Sequence, residues 1–187
     1  MSGFKETISY KITIIAIFGA LYAVLVWLLP IISFFIWQVR IADCLLPQAF
    51  IFGLPAAVGL AIGCFTGNFI GGLGLIDYIG GALTNFLAGY IGYLIEKRNH
   101  SQGLKRILRT QLAISIQTSL NVFIVGTYLS FLFEMPLFLS WLGILIGSLV
   151  AMHLLGYLIY EAIRKTGLFT IESETPNLQT AINFFYI

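Results

Sequence analysis

The sequence predicts an all-α integral membrane protein. Of its 187 residues, 59% are hydrophobic and only 10% are charged, whereas roughly 25% of residues are charged in an ordinary soluble domain. The apolar residues form runs that are too long and too numerous for one buried core helix, and a crossing needs about 20 residues. The length therefore allows about six crossings with short loops and leaves no room for a separate soluble domain.

The distribution of basic residues predicts which side of the membrane each loop occupies. Lys and Arg concentrate in cytoplasmic loops, so an even number of crossings separates successive basic clusters. Four crossings fit between the first two clusters and two between the last two, which puts both termini in the cytoplasm. The clusters are Lys5 and Lys11; Lys97, Arg98, Lys105, Arg106 and Arg109; and Arg164 and Lys165.

The first two predicted helices cover residues 10–29 and 41–53. The first ends at Pro30 and closes on Leu-Leu-Pro rather than on a small-residue cleavage site, so we interpret it as a retained helix and not a signal peptide. The second ends at the break Gly53-Leu54-Pro55. It is too short to span unassisted, which leaves open a re-entrant segment, an extension toward Gln38 and a locally thinned bilayer.

The remaining helices follow from turns rich in glycine and proline. Gly71-Gly72-Leu73-Gly74 separates the third helix from the fourth, and Glu134-Met135-Pro136 separates the fifth from the sixth. The predicted spans are 55–70, 75–96, 107–133 and 137–163. All six helices form one transmembrane domain over residues 1–165, followed by a polar cytoplasmic tail over residues 166–187.

Small residues recur every fourth position on several of these helices. Four residues slightly exceed one turn of 3.6, so such a series forms one face along which a second helix can pack closely. We expect most of these faces to be structural, and Cys44 and Cys64 to be packing residues. For Ala16 and Ala20, internal packing and a docking face for another membrane subunit both stay open. The other series are Gly59, Gly63, Gly67 and Gly71; Gly81 and Gly89 around Asn85; and Gly143, Gly147 and Ala151.

Polar residues within the apolar runs mark the region where function is expected. An ionisable residue near the centre of a membrane helix costs about 2.5 to 3.5 kcal/mol, so its retention implies a partner, a cavity or a ligand. A local ion pair between Arg40 and Asp43 is an alternative for those two residues. The inner halves offer little beyond Gln111, Ser115 and His153, which predicts a polar pocket open to the outside. Its candidates are Arg40, Asp43, Gln48, Asn68 and Asp77, with Asn85, Gln117 and Asn121 deeper and Glu134 in an outer loop.

The sequence contains no signature of an enzyme or of an ATP-binding protein. It has no phosphate-binding loop, no H-E-x-x-H metalloprotease motif and no G-x-S-x-G elbow. We expect no metal and no cofactor, and transport against a gradient would require a partner or an ion gradient.

The central block resembles the QueT family, whose members are substrate-binding S components of energy-coupling factor (ECF) transporters. The resemblance covers roughly residues 10–164. The family typically carries Glu where this chain has Asp43, which keeps the charge and shortens the side chain. The resemblance is carried by Gln38-Val39-Arg40-Ile41-Ala42-Asp43, Leu46-Pro47, the run 55–72 with Gly63-Cys64 and Asn68, and Leu75-Ile76-Asp77-Tyr78-Ile79-Gly80-Gly81.

The resemblance implies a six-helix S-component fold that captures a queuosine precursor, a 7-deazaguanine base, outside the cell. It also implies a membrane coupling subunit, docked on Ala16 and Ala20, and two cytoplasmic ATPases. Trp37 or a neighbouring aromatic residue is expected to stack on the base. Asp43, Asp77 or Glu134 is expected to pair with an aminomethyl cation if the ligand carries one. The implied substrate site comprises Arg40, Asp43, Asn68 and Asp77, the deeper Asn85 and Asn121, and Trp37 and Glu134.

Three other functions stay open from the residues alone. The first is an S component for another vitamin-like molecule. The second is a membrane enzyme for lipid or isoprenoid substrates, which would need a buried or cytoplasmic acid, base or metal cluster. The third is a structural membrane subunit, which the small-residue faces would suit.

Overall fold

The computed structural model describes residues 7–30 and 40–166, and every regular element in those ranges is helical. The predicted all-α class is therefore confirmed. Five helical runs are long and apolar enough to cross a membrane: Ile8–Leu28, Ile41–Gly71, Leu75–Lys97, Gly103–Leu132 and Leu137–Lys165. The count of six crossings and the cytoplasmic position of both termini stay predictions. Trp37 and the tail after Thr166 lie outside the described residues.

Helix α1 (Ile8–Leu28) has one buried face and one exposed face. It begins after Thr7, whose hydroxyl accepts the N–H of Tyr10 at 3.3 Å and so satisfies a backbone donor of the first turn. Gly19 and Ala23 lie on the buried face, whereas Ala16 and Ala20 are exposed. Gly19 and Ala23 therefore face the bundle, whereas Ala16 and Ala20 face outward, where another helix could contact them.

The segment after α1 reverses direction at Gly53. A 3₁₀ helix (Ile41–Gln48) continues into helix α2 (Ala49–Gly71), but Gly53 has φ 68° and ψ −150°, which breaks the helix. Only glycine adopts that conformation without strain. The segments before and after Gly53 lie side by side near the bend. Both contact Gly89, where an added Cβ would lie 3.1 Å from Ala57 Cβ and 3.6 Å from Ala49 Cβ. Residues 41–52 therefore form a short arm antiparallel to residues 54–71.

Helices α1 and α2 pack in parallel along the glycine face. A Cβ added to Gly59 would lie 2.6 Å from Ile15 O, and one added to Gly63 would lie 2.6 Å from Gly19 O. Further along, Gly67 lies against Val26. Residue numbers increase in the same direction on both helices at these contacts, so the helices are parallel. The short arm runs in the opposite direction and connects them. This glycine face allows the backbones to approach more closely than side chains would permit.

The remaining helices alternate in direction. Thr110 contacts Glu96 and Tyr128 contacts Asp77, so the run after residue 102 is antiparallel to α3. The last run turns back again, since Ser140 Oγ donates to Gly126 O at 2.6 Å. The bounds are α3 (Leu75–Lys97), α4 (Gly103–Leu120), a π-helical segment (Asn121–Val125), α5 (Gly126–Leu132), α6 (Leu137–Ser148), a second π-helical segment (Leu149–Gly156) and α7 (Tyr157–Lys165).

This topology gives the bundle two chemically different ends. We call the end with the 133–136 turn the outer end, and the end with the 98–102 loop the inner end, after the side on which the charge rule puts them. Asp77 and Tyr128 lie toward the outer end. Apart from Arg40, the basic residues of the described part lie toward the inner end, where Arg106 pairs with Glu161 at 2.5 Å.

Candidate functional site

A group of polar side chains, most of them fully buried, joins five elements toward the outer end. Because polar groups in a membrane interior must be satisfied or serve a ligand, their partners decide what the site can do. We call this group the outer polar cluster; it consists of Tyr22 on α1, Arg40 and Asp43 at the start of the 3₁₀ helix, Cys64 and Asn68 on α2, Asp77 on α3 and Tyr128 on α5.

The first half of the cluster is centred on Arg40 and Asp43, whose side chains are 5% and 7% exposed. Asp43 N–H donates to Arg40 O at 3.0 Å, so both residues belong to one 3₁₀ turn. The hydroxyl of Tyr22 donates to Asp43 Oδ1 at 2.6 Å. Arg40 Nη1 lies 3.7 Å from Cys64 Sγ, and the guanidinium interacts electrostatically with Asp43 and Asp77. Cys64 is thus a buried packing residue that also borders the charged groups.

The second half of the cluster surrounds Asp77 in the first turn of α3. The hydroxyl of Tyr128 donates to Asp77 Oδ1 at 3.0 Å, and Asn68 Nδ2 donates to the main-chain oxygen of Asp77 at 3.0 Å. Asp77 and Asn68 are both fully buried. Within the described part of the chain, Asp77 Oδ2 and Asn68 Oδ1 have no hydrogen-bond partner. Two acceptors are therefore held in place and left open.

Asn85 continues the same face of α3 deeper into the bundle. It follows Asp77 by eight residues, which is about 12 Å at 1.5 Å per residue. Its side chain is 1% exposed, and its Nδ2 has no hydrogen-bond partner among the described residues. Between them lies Gly81, where an added Cβ would meet Asn68 Nδ2 at 2.7 Å and Cys64 Sγ at 3.1 Å. The absence of a side chain at Gly81 therefore allows α2 and α3 to approach each other closely, about one turn before Asn85.

Two glutamines support the irregular backbone at the middle of the bundle. Gln48 Nε2 donates to Cys44 O at 3.1 Å and to Gly156 O at 2.9 Å. Gln117 Nε2 donates to Leu46 O and Ala88 O, both at 3.2 Å. Non-helical backbone at membrane depth requires such partners or a cavity. These two residues therefore hold the 3₁₀ helix in the bundle from both sides.

Asn121 lies at the start of the first π-helical segment, against the second one. Its Nδ2 lies 3.4 Å from Gln117 O and 3.9 Å from Met152 Sδ, and the residue is 4% exposed. Thr118 Oγ1 contacts the same sulfur at 3.7 Å. π-helical segments within α-helices are frequent at functional sites. Asn121 thus belongs to a deeper layer than the outer polar cluster.

The structure brings most of the predicted site residues together but not all of them. Arg40, Asp43, Asn68 and Asp77 belong to the outer polar cluster. Asn85 and Asn121 lie deeper, as expected from their positions on α3 and the fifth run. Glu134 is exposed in the outer turn with φ 50°. Trp37 lies outside the described residues.

The sequence interpretation missed the two tyrosines of the outer polar cluster. Tyr22 is fully buried, and Tyr128 is partly buried, each with its hydroxyl on a carboxylate. Each tyrosine lies in an apolar run and is part of no repeating motif, so its position in the sequence does not distinguish it from an ordinary apolar residue. The available signal is chemical: a tyrosine hydroxyl buried away from water needs a hydrogen-bond partner. A search for acceptors at the same depth would have suggested Asp43 and Asp77.

The prediction that the inner half holds little polar chemistry was wrong. Glu96 is 2% exposed and accepts hydrogen bonds from Thr110 Oγ1 at 2.8 Å, Tyr160 OH at 3.0 Å and Asn99 Nδ2 at 3.1 Å. The predicted fourth helix ends at Glu96, directly before the basic residues Lys97 and Arg98, so nothing in the sequence indicated that it is buried. In the structure α3 continues to Lys97 and α7 covers this end, so the carboxylate is enclosed by donors that join α3, α4 and α7.

Comparison with known proteins identifies the family. A profile of the QueT transporter family matches residues 12–165. The chain belongs to the QueT transporter family. This QueT-family chain is 27% identical over 165 residues to a Lactococcus lactis subsp. cremoris (strain MG1363) protein named Queuosine precursor transporter QueT, and the match covers 86% of this chain and 96% of the relative. No solved structure matches the chain.

Family membership confirms the resemblance inferred from the central block. The matched region, residues 12–165, includes every element of the outer polar cluster and the deeper layer. With its apolar helical runs, the QueT-family chain is a multi-pass membrane protein of a transporter family. The outer polar cluster is accordingly its candidate ligand site.

Proposed function

We propose that the chain is the substrate-capture subunit of an ECF-type uptake transporter, and that it binds a queuosine precursor of the 7-deazaguanine class from outside the cell. The name of the Lactococcus lactis relative supports the substrate class. The transporter family supports uptake. A membrane coupling subunit and two cytoplasmic ATPases would supply the energy.

The observation that carries this proposal is a set of three buried polar atoms without hydrogen-bond partners in the described residues. They are two acceptors, Asp77 Oδ2 and Asn68 Oδ1, and one donor, Asn85 Nδ2. A 7-deazaguanine ligand offers the complement, with amide, amine and (where present) aminomethyl donors and a carbonyl acceptor. Leaving such groups unpaired costs about 1 to 3 kcal/mol each, so a ligand that pairs them binds with a matching gain.

Binding by the purified protein tests the proposal. Isothermal titration calorimetry with 7-aminomethyl-7-deazaguanine should give saturable binding, and Asn68→Ala and Asp77→Ala should each weaken it about 10-fold or more. Thr66→Ala is the matched control on α2, since Thr66 is exposed and, among the described residues, its hydroxyl bonds to Ile62 O and Gly63 O of its own helix. Riboflavin, biotin and thiamine serve as competing ligands. Tight binding of one of these, with no binding of the deazaguanine, would contradict the substrate class.

Docking of the coupling subunit is assigned to the exposed small residues of α1. Ala16 and Ala20 lie on the exposed side of that helix, where a second helix can approach closely. Ala16→Trp with Ala20→Trp should abolish co-purification with the coupling subunit. Leu21→Trp is the control, because Leu21 is already large and 48% exposed. An intact complex in the double variant would refute this docking face.

The proposed topology has six crossings with both termini in the cytoplasm. The arm from Arg40 to Gly53 then belongs to the second crossing, and Gly53 lies toward the inner side. Single cysteines test this, because Cys44 and Cys64 are both buried. In intact cells an impermeant thiol reagent should label Glu134→Cys and should leave His100→Cys unlabelled. The reverse pattern would invert the topology.

A further inference from the structure

The outer polar cluster contains one more carboxylate than cations. Its only cationic side chain among the described residues is Arg40, whereas Asp43 and Asp77 are both acidic, and all three are at least nine-tenths buried. Residues 31–39, which precede Arg40 in the chain, contain no Lys, Arg, Asp or Glu. The other charged residue at this end, Glu134, is also acidic. The cluster therefore has a formal charge of minus one.

An excess buried charge in a membrane protein has to be compensated. Two sources can restore neutrality here: a proton on one of the carboxylates, or a cation that a ligand contributes. The two cases predict different ligand preferences. A protonated site would bind a neutral and a cationic ligand of the same shape about equally, whereas an ionised site would prefer the cation.

The hydrogen bonds indicate which carboxylate is available to a ligand. Asp43 shares one 3₁₀ turn with Arg40 and accepts the hydroxyl of Tyr22. Asp77 accepts the hydroxyl of Tyr128 on Oδ1 only, and its buried Oδ2 has no partner in the described part of the chain. The unpaired acceptor Asn68 Oδ1 lies near Asp77, because Asn68 Nδ2 donates a hydrogen bond to the main-chain oxygen of Asp77.

We propose that this site selects a ligand carrying one positive charge, and that Asp77 Oδ2 receives the ligand's ammonium group with Asn68 Oδ1 as a second acceptor. The inference rests on the proposed function and specifies it further. An ammonium has three donors, and a hydrogen bond between ionised groups is roughly twice as strong as a neutral one. Asp77 is then a specificity-determining residue.

The wild-type protein provides the first test. Affinities for 7-aminomethyl-7-deazaguanine and for its neutral isostere 7-hydroxymethyl-7-deazaguanine are compared by calorimetry at pH 7, where an alkylamine with a pKa near that of lysine, about 10.4, is protonated. The cation should bind at least about 10-fold tighter. Equal affinities would overturn the inference and leave the proposed function standing. Binding of neither compound would overturn the proposed function itself.

Substitution of Asp77 tests the assignment to that residue. Asp77→Asn keeps the shape and the acceptor for Tyr128 but removes the charge, so affinity for the cation should fall about 10-fold or more while affinity for the neutral isostere changes less than about 3-fold. Glu134→Gln is compared in parallel. A preference for the cation that survives Asp77→Asn, or that is lost in Glu134→Gln, would overturn the assignment. The wild-type comparison stays decisive if Asp77→Asn does not fold.

Discussion

Replacement of Gly63 by alanine should destabilise the bundle and weaken ligand binding together. The added Cβ would lie 2.6 Å from Gly19 O and 2.7 Å from Tyr22 Cβ, whereas ordinary contacts begin near 3.4 Å. Helices α1 and α2 would have to separate by about 0.8 Å, a gap that forfeits roughly a quarter to a half of each contact energy across it. Both atoms are fixed near the helix axis, so neither can move aside alone.

The expected magnitude follows from two opposing terms. Overpacking of this kind costs about 1 to 3 kcal/mol, while replacing a helical glycine by alanine returns up to about 1 kcal/mol. The net loss is therefore about 0 to 2 kcal/mol, and the two contacts below 3 Å favour the upper part of that range. Because Tyr22 is displaced, its hydrogen bond to Asp43 should lengthen, and affinity for the deazaguanine should fall about 3- to 10-fold.

Gly19→Ala is a matched control at the same crossing. Its Cβ would meet Gly59 O at 3.3 Å and nothing else closer than 3.9 Å, so overpacking should be slight and the helical preference of alanine should raise stability by up to about 1 kcal/mol. Unfolding of both variants in detergent, followed by heating or by denaturant, measures the difference, and calorimetry measures binding. Equal stability of Gly63→Ala and Gly19→Ala would refute the conclusion that a glycine is required at position 63 for the close approach of α1 and α2.

Three further substitutions test separate parts of the structure. Tyr22→Phe should weaken deazaguanine binding about 10-fold by calorimetry, because a hydrogen bond to a charged group is worth about 1.5 to 3 kcal/mol. Tyr90→Phe is its control, since Tyr90 is on α3 and its ring stacks on Phe86, outside the outer polar cluster. Gln117→Leu should lower the free energy of unfolding by about 1 to 3 kcal/mol, since it removes the amide donor shared by the buried carbonyls of Leu46 and Ala88. Glu96→Ala should lower the same free energy by about 2 to 4 kcal/mol by leaving buried hydroxyls unpaired, and should leave ligand affinity unchanged because it lies at the inner end.

The results that would contradict these three predictions are distinct. Unchanged affinity in Tyr22→Phe would show that the hydrogen bond from Tyr22 to Asp43 does not contribute to ligand binding. Unchanged unfolding of Gln117→Leu, relative to Gln102→Leu in the inner loop, would show that the 3₁₀ helix does not depend on that amide. Loss of ligand affinity in Glu96→Ala, measured at a temperature where the variant is folded, would couple the two ends of the bundle.

Several features of the site followed from sequence because they depend on local chemistry. Arg40, Asp43, Asn68 and Asp77 stand out because charged and amide side chains are expensive in lipid. Glycine and proline identified the reversal at Gly53 because few residues tolerate such backbone angles. The pairing of Tyr22 with Asp43 did not follow, because it joins residues 21 positions apart and a tyrosine in an apolar run carries no sign of its partner.

The sequence by itself determined that this chain is an all-α membrane protein of the QueT transporter family, because apolar composition and short motifs are properties of single segments. The tertiary structure decided which polar atoms are satisfied and which stay open. Tyr128 occupies one oxygen of Asp77 and leaves the other open, and Glu96 is enclosed by donors at the opposite end. Hydrogen-bond satisfaction depends on contacts between distant helices, so only the packed bundle reveals it.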